Sequence, residues 1–253
     1  MNPTPSKTIR TVMRFRFSAA FAASLSRACT RLLALAALCL FSLPGVSRAD
    51  LNITGTVDWS TGQTVSGTLM IGVGADYGIL NHSGGTVTAG SLLIGQEYAA
   101  GGGSSAYNMS GTAVFSCSDS YIGNLRVDPN TYTWSLTDNA SATVGSLDLN
   151  RLSDSYLLLS GAATFSTISL VGVHADSWIS FATGSTATFT ATDENLTSYT
   201  TLVNDGKIRV NGAQATMSQF QVTGDHTLSL VPEPTAALLG SLGLLTLLRR
   251  RRQ

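Results

Sequence analysis

The charged side chains best spaced to act together lie between positions 148 and 176. Asp148, Arg151 and Asp154 fall within seven residues, and His174 and Asp176 follow about twenty residues later. A pair of carboxyl groups beside a base is what polysaccharide lyases and hydrolases use to abstract a proton or protonate a leaving oxygen. The simpler interpretation is that these are solvated turn residues. This group is the best catalytic candidate that the sequence offers. We expect its members to be turn residues and the protein to be non-enzymatic.

Cysteine and histidine offer less chemistry. Cys117 has no accompanying His or Asn motif, so a small buried apolar role is expected for its side chain. His82, His174 and His226 are far apart and have no neighbouring Cys pair, which excludes the usual zinc spacing. Each histidine is expected to be a solvated or turn residue. The sequence predicts neither a metal site nor a cofactor.

Charge is distributed unevenly along the chain. The formal net charge is zero, but residues 50 to 230 hold only four basic residues and fourteen of the fifteen acids. This central segment, called the body below, is therefore acidic by about ten charges. Nucleic-acid binding needs clustered Lys and Arg to neutralise phosphates. Nucleic acid is accordingly excluded as a partner.

The body repeats itself. A short motif ending in Ile-Gly, or a degenerate copy of it, recurs at Ile71, Ile94, Ile122, Leu149 and Val171, in steps of 23, 28, 27 and 22 residues. Ser-Gly turns and short apolar strands lie between the copies, and no segment is typical of an amphipathic helix, including the loop-like TDENLTS stretch.

The repeat predicts an all-β fold, a β-solenoid or parallel β-helix of about seven rungs over residues 50–230. A single rung cannot bury its apolar face, so rungs must stack. A β-sandwich is the alternative, because the repeat spacing is irregular. The predicted inward positions are Ile71, Val87, Ile94, Phe115, Ile122, Val144, Leu149, Phe165, Val171 and Phe189.

The N-terminal 49 residues have the composition of a signal peptide. An apolar run from residue 32 to 43 follows several arginines and precedes the small residues Ser47 and Ala49. Cleavage by signal peptidase after Ala49 is predicted, with the mature chain beginning at Asp50. Met13 is an alternative start.

The C-terminal segment, residues 231–253, combines three elements. Pro232-Glu233-Pro234 is followed by an apolar stretch and then by Arg249, Arg250, Arg251 and Arg252. This order resembles the PEP-CTERM sorting signal that exosortase recognises in Gram-negative bacteria. The fourteen residues from Thr235 to Leu248 would span about 21 Å as a helix, against a hydrocarbon core of about 30 Å. The positive-inside rule keeps the arginines cytoplasmic and the body outside the inner membrane.

The resemblance implies an exported protein of the cell surface or extracellular polysaccharide matrix. It would be anchored in the inner membrane as a precursor, with exosortase and signal peptidase as processing partners. SGGTVTAGSLLIG, residues 83–95, resembles autotransporter passenger repeats. Exopolysaccharide is a further expected partner, and a structural or adhesive role fits these features. Two alternatives stay open: a polysaccharide lyase or hydrolase on a β-helix, and a glycan-binding module using Tyr107, Tyr156 or Trp178.

Overall fold

The computed structural model describes residues 47–48, 50–72, 77–95, 103–123, 130–149, 153–224 and 226–232. The predicted signal peptide with its cleavage residue Ala49 lies outside this range, apart from the backbone of residues 47 and 48. The same holds for the sorting residues Glu233, Pro234 and Arg249 to Arg252, whereas Pro232 is described and exposed. Within the described residues, no helix is both long enough and apolar enough to cross a bilayer.

The described residues form two sheets. The first, called the long sheet, contains β1 (Ser47–Arg48), β2 (Leu51–Ile53), β4 (Gln63–Ile71), β6 (Thr86–Ile94), β8 (Val114–Ile122), β10 (Ser141–Leu149), β12 (Thr164–Val173), β14 (Thr188–Ala191), β17 (Phe220–Thr223) and β18 (Thr227–Leu230). The second, called the short sheet, contains β3 (Gly55–Trp59), β5 (Gly78–His82), β7 (Ser105–Met109), β9 (Thr131–Leu136), β11 (Asp154–Leu159), β13 (Trp178–Phe181), β15 (Ile208–Val210) and β16 (Ala213–Gln214).

The chain alternates between the two sheets and pairs each strand with the strand one turn later. β4, β6, β8, β10 and β12 are parallel neighbours in the long sheet, and β3 to β15 in the short sheet follow the same rule. This pattern is a β-solenoid and excludes the alternative β-sandwich. The solenoid has about five turns, so the prediction of seven was wrong.

The two missing turns are replaced by a different structure. After β14 the chain forms helix α1 (Leu196–Asn204), a 3-10 turn (Met217–Gln219) and the antiparallel pair β17 and β18, and β18 covers the edge of β14 in antiparallel register. Asn195 begins the helix, and its Oδ1 accepts hydrogen bonds from the backbone N–H groups of Thr197 and Ser198. The prediction of a loop for TDENLTS was therefore wrong at its C-terminal half.

Unequal corners explain the irregular repeat spacing. From β3 to β12, connections from the short sheet back to the long sheet hold three or four residues, whereas connections from β4 through to β13 in the opposite direction hold four to ten. The strands keep their register in spite of this variation: Ile71 pairs with Ile94, which pairs with Ile122. Length differences between repeats are thus absorbed at one corner.

The core lies between the sheets and agrees with the predicted inward positions at nine of ten residues, which are at most 2% exposed. Val171 is the exception, at 59% exposed. The register shifts there, because Leu147 pairs with Leu170 but Asp148 pairs with Gly172, so Val171 is the extra residue of a bulge. Leu170, 8% exposed, is the residue that packs inward.

Candidate functional site

The predicted catalytic residues are only partly brought together. Asp154 begins β11 and accepts a hydrogen bond at Oδ2 from the Tyr156 hydroxyl, 3.1 Å away. Asp148 lies on the long sheet, and Arg151 is outside the described residues. His174 and Asp176 lie in the turn before β13, where the His174 carbonyl accepts from Lys207 Nζ at 2.7 Å.

Among the described residues, no three His, Cys, Asp or Glu side chains converge in a group able to hold a metal ion. The Asp154 carboxyl group is held by a tyrosine hydroxyl at the surface of the short sheet.

Two of the three aromatic residues predicted for glycan contact lie on the outer face of the short sheet. Tyr156 and Trp178 pair across β11 and β13 and stack with ring centroids 3.9 Å apart and an interplanar angle of 27°. The Arg209 guanidinium lies 3.8 Å from the Trp178 ring centroid, a cation–π contact. This aromatic stack, Tyr156–Trp178–Arg209, is partly exposed.

Arg209 is fixed in place by backbone carbonyls. Its Nε donates to Gly206 O at 2.8 Å and its Nη1 to Gly212 O at 3.2 Å. Tyr156 is also fixed, because its hydroxyl donates to Asp154. Desolvation by its neighbours, with this hydrogen bond second, raises the pKa of its phenol to about 12. The ring at the open end of the stack is therefore a neutral donor across the physiological range.

The third aromatic named for the glycan-binding alternative, Tyr107, is fully buried and is not available to a ligand at the surface. Its ring lies in the core between Phe115, edge-on at 5.4 Å, and Trp134, stacked at 5.6 Å. His82 was predicted to be a solvated or turn residue; it is fully buried at the end of β5. Its Nδ1 lies 3.0 Å from Tyr107 Oη, and its Nε2 lies 3.0 Å from Gly84 O and 3.1 Å from Gly85 O.

Cys117 is half-buried in the long sheet, and its Sγ donates to Asp119 O at 3.2 Å. Burial, with the nearby charge of Asp119 second, raises the pKa of the thiol to about 12. A thiol that stays protonated at neutral pH is a poor nucleophile.

A row of polar side chains that the sequence analysis missed runs along the outer face of the short sheet. Asn81 Nδ2 donates to Asp58 Oδ1 at 2.8 Å, Asn108 Nδ2 donates to Asn81 Oδ1 at 3.0 Å, and Ser135 Oγ donates to Asn108 Oδ1 at 2.8 Å. The four residues occupy one register position on β3, β5, β7 and β9. We call this set, Asp58–Asn81–Asn108–Ser135, the amide row.

The amide row could have been found from outward positions spaced 23 to 27 residues apart, had the strand register been known. A parallel column two residues earlier on the same strands holds Thr56, Ile79, Ala106 and Thr133 and reaches Tyr156 one rung later. The short sheet thus presents a strip of outward side chains, small at Ala106 and Thr133, bordered by the amide row along one side and by the Tyr156 ring at one end.

The long sheet presents a second surface, made of hydroxyl groups. Thr64, Thr88, Ser116, Thr143 and Ser166 follow one another in register. A trough of about 610 Å³ lies beside them, lined also by Cys117 and Ile168. No charged side chain lines that trough among the described residues.

Comparison with known proteins adds no relative to this picture. No protein-family model, no curated protein and no solved structure matches the chain. The geometry on its own shows a β-solenoid built from repeats.

Proposed function

We propose that this chain is a non-enzymatic structural or adhesive protein, exported to the cell surface or extracellular polysaccharide matrix and sorted by an exosortase. The observation that carries the proposal is the pairing of a sorting-type tail with a repetitive body whose outer faces carry regular rows of polar side chains. The Pro232-Glu233-Pro234 motif and the arginine cluster that ends at Arg252 resemble a PEP-CTERM sorting signal, and this resemblance supports the proposed export and sorting.

The body supports this role through its surfaces. The amide row and the hydroxyl groups of the long sheet repeat at the rung spacing of about 4.8 Å, which suits contact with a long polymer better than conversion of a small substrate. The body's excess of acids keeps such a protein soluble and disfavours nonspecific binding to nucleic acid.

The experiment is expression of the full chain in an exosortase-bearing Gram-negative host that makes exopolysaccharide, followed by fractionation of membranes, cell surface and matrix. The body should be recovered from the surface or matrix fraction. In the matched variant, Pro232, Glu233 and Pro234 are all changed to Ala, and the chain should stay in the membrane fraction. Equal distribution of both proteins would refute sorting by this tail.

The same preparations decide between adhesion and catalysis. Incubation with the host exopolysaccharide and with polyuronates should leave polymer length unchanged by size-exclusion chromatography. Depolymerisation that is abolished by Asp148→Asn or Asp154→Asn would establish the lyase or hydrolase alternative instead.

A further inference from the structure

The outer face of the short sheet has the features of a site for a neutral linear polysaccharide. We infer that one uncharged glycan chain lies along the solenoid axis on the strip formed by Ala106 and Thr133, hydrogen-bonded by the amide row and ending against the Tyr156 ring. This inference rests on the proposed adhesive function and names the class of ligand and the residues that hold it.

Hydrogen-bonding capacity is the first argument. Each primary amide has two N–H donors and two acceptor positions on its oxygen. Asn108 uses one donor on Asn81 and one acceptor position on Ser135 within the row, and Asn81 likewise uses one of each. Every asparagine therefore keeps a donor and an acceptor beyond the bonds of the row, at intervals of about 4.8 Å. Each hexose lengthens an extended glycan chain by a similar distance, and its hydroxyl groups can both donate and accept hydrogen bonds.

Preorganisation is the second argument. Binding normally costs free energy because side chains lose rotamer freedom when they are ordered by a ligand. The bonds within the amide row already order Asn81, Asn108 and Ser135, all of which are half-buried. A ligand that hydrogen-bonds the row thus meets side chains fixed in advance.

The aromatic end supplies the apolar contact. One face of the Tyr156 ring stacks on Trp178, Thr133 is its register partner on the opposite side, and the side chain is partly exposed. Flat aromatic rings with a polar edge suit ligands that are apolar on one side and wet on the other, as sugar rings are. From Asp58 to Tyr156 is four rung steps, about 19 Å.

Charge selects a neutral chain. The strip is flanked by carboxylates at both ends, Asp58 in the amide row and Asp154 beside Tyr156. Arg209 stands beyond the stack, with Nε and Nη1 bonded to backbone carbonyls. A polyuronate would meet the like charge of Asp58 at one end, and at the other end Asp154 offsets the attraction of Arg209, whereas a neutral glycan needs no countercharge.

The test is calorimetric titration of the full-length chain with size-defined oligosaccharides of linear neutral glucans and mannans, with polygalacturonate oligosaccharides as the anionic probe. Affinity for at least one neutral series should rise with length, reach a plateau once the oligosaccharide spans about four rungs, and be insensitive to salt. Asn108→Ala and Tyr156→Leu should each weaken binding about tenfold. The matched control Asn52→Ala, which changes an exposed residue of the long sheet outside its hydroxyl row, should leave it unchanged.

Circular dichroism of each variant confirms that the fold is retained. Binding that is equal in Asn108→Ala and the parent, a preference for the polyuronate, or no saturable binding to any neutral series would overturn the inference. Such a result is distinguishable from failure of the adhesive function, because recovery of the chain in the matrix fraction does not depend on these variants binding the probe.

Discussion

His82 and Tyr107, neighbours across one rung of the core, share a hydrogen bond in which the two heavy atoms are 3.0 Å apart. Both side chains are fully buried. Because Nε2 faces two carbonyl oxygens, it carries the ring proton, and Nδ1 is left to accept from the tyrosine hydroxyl. The pair closes the turn between β5 and β6 from inside the solenoid.

This geometry predicts a pH-dependent stability. Burial lowers the pKa of His82 below its ordinary 6.5, although the bonds to Gly85 and Gly84 oppose the shift. The unfolded chain therefore takes up a proton below about pH 6.5 while the folded chain does not, so stability is present above that pH and lost as the pH falls toward the folded pKa. Urea unfolding at pH 7.5 and 5.5 should show the loss, and His82→Asn should reduce the difference between the two pH values.

The hydrogen bond itself can be isolated in a double-mutant cycle. Tyr107→Phe leaves Nδ1 of His82 buried without a donor and should lower the free energy of unfolding by about 1–3 kcal/mol. Tyr77→Phe, at a tyrosine that is 50% exposed, is the control and should change it by less than about 0.5 kcal/mol. Coupling between His82→Asn and Tyr107→Phe close to zero would contradict a direct bond.

The bulge in β12 makes opposite predictions for adjacent residues. Leu170→Ala removes a buried side chain and should cost about 2–5 kcal/mol. Val171→Ala removes an exposed one and should change the free energy of unfolding by less than about 0.5 kcal/mol. Chemical denaturation of both variants decides the register, since a strand without the bulge would reverse the order of the two effects.

The helix cap offers a test of the C-terminal structure. Asn195→Ala removes the side-chain acceptor for two backbone N–H groups and should lower stability by about 1 kcal/mol. Thr197→Ala, at an exposed position whose side chain is not the cap, should have a smaller effect. Thermal unfolding of the two variants side by side gives the comparison, and equal effects would argue against Asn195 as the cap.

The strand repeat and most of the core could be predicted from sequence because alternation and Ile-Gly motifs report directly on which side chains face inward. Val171 could not be placed, since a bulge shifts register without changing composition. The number of turns was overestimated because the residues after β14 keep the body's polar, Thr-rich composition but, apart from β15, form the helix, the 3-10 turn and the antiparallel strands described above.

The candidate site was only half predictable. Tyr156 and Trp178 can be recognised from the sequence as aromatic residues of the repeats. Tyr107 looks equivalent in the sequence, but its side chain lies on the inward face of its strand. The amide row depends on which residues share a register position across loops of four to ten residues. That alignment is a property of the stacked strands, and no local sequence pattern encodes it.

The unequal corners also bear on how the molecule folds. Parallel partners in both sheets are separated by about one repeat whatever the loop length, so loop closure costs nearly the same at every step. Such a chain can nucleate at any rung and add neighbours one by one. During synthesis β18 emerges after the solenoid turns, and until it pairs with β14 the edge of β14 stays open to pairing. We therefore expect the docking of β18 to limit association between unfinished molecules.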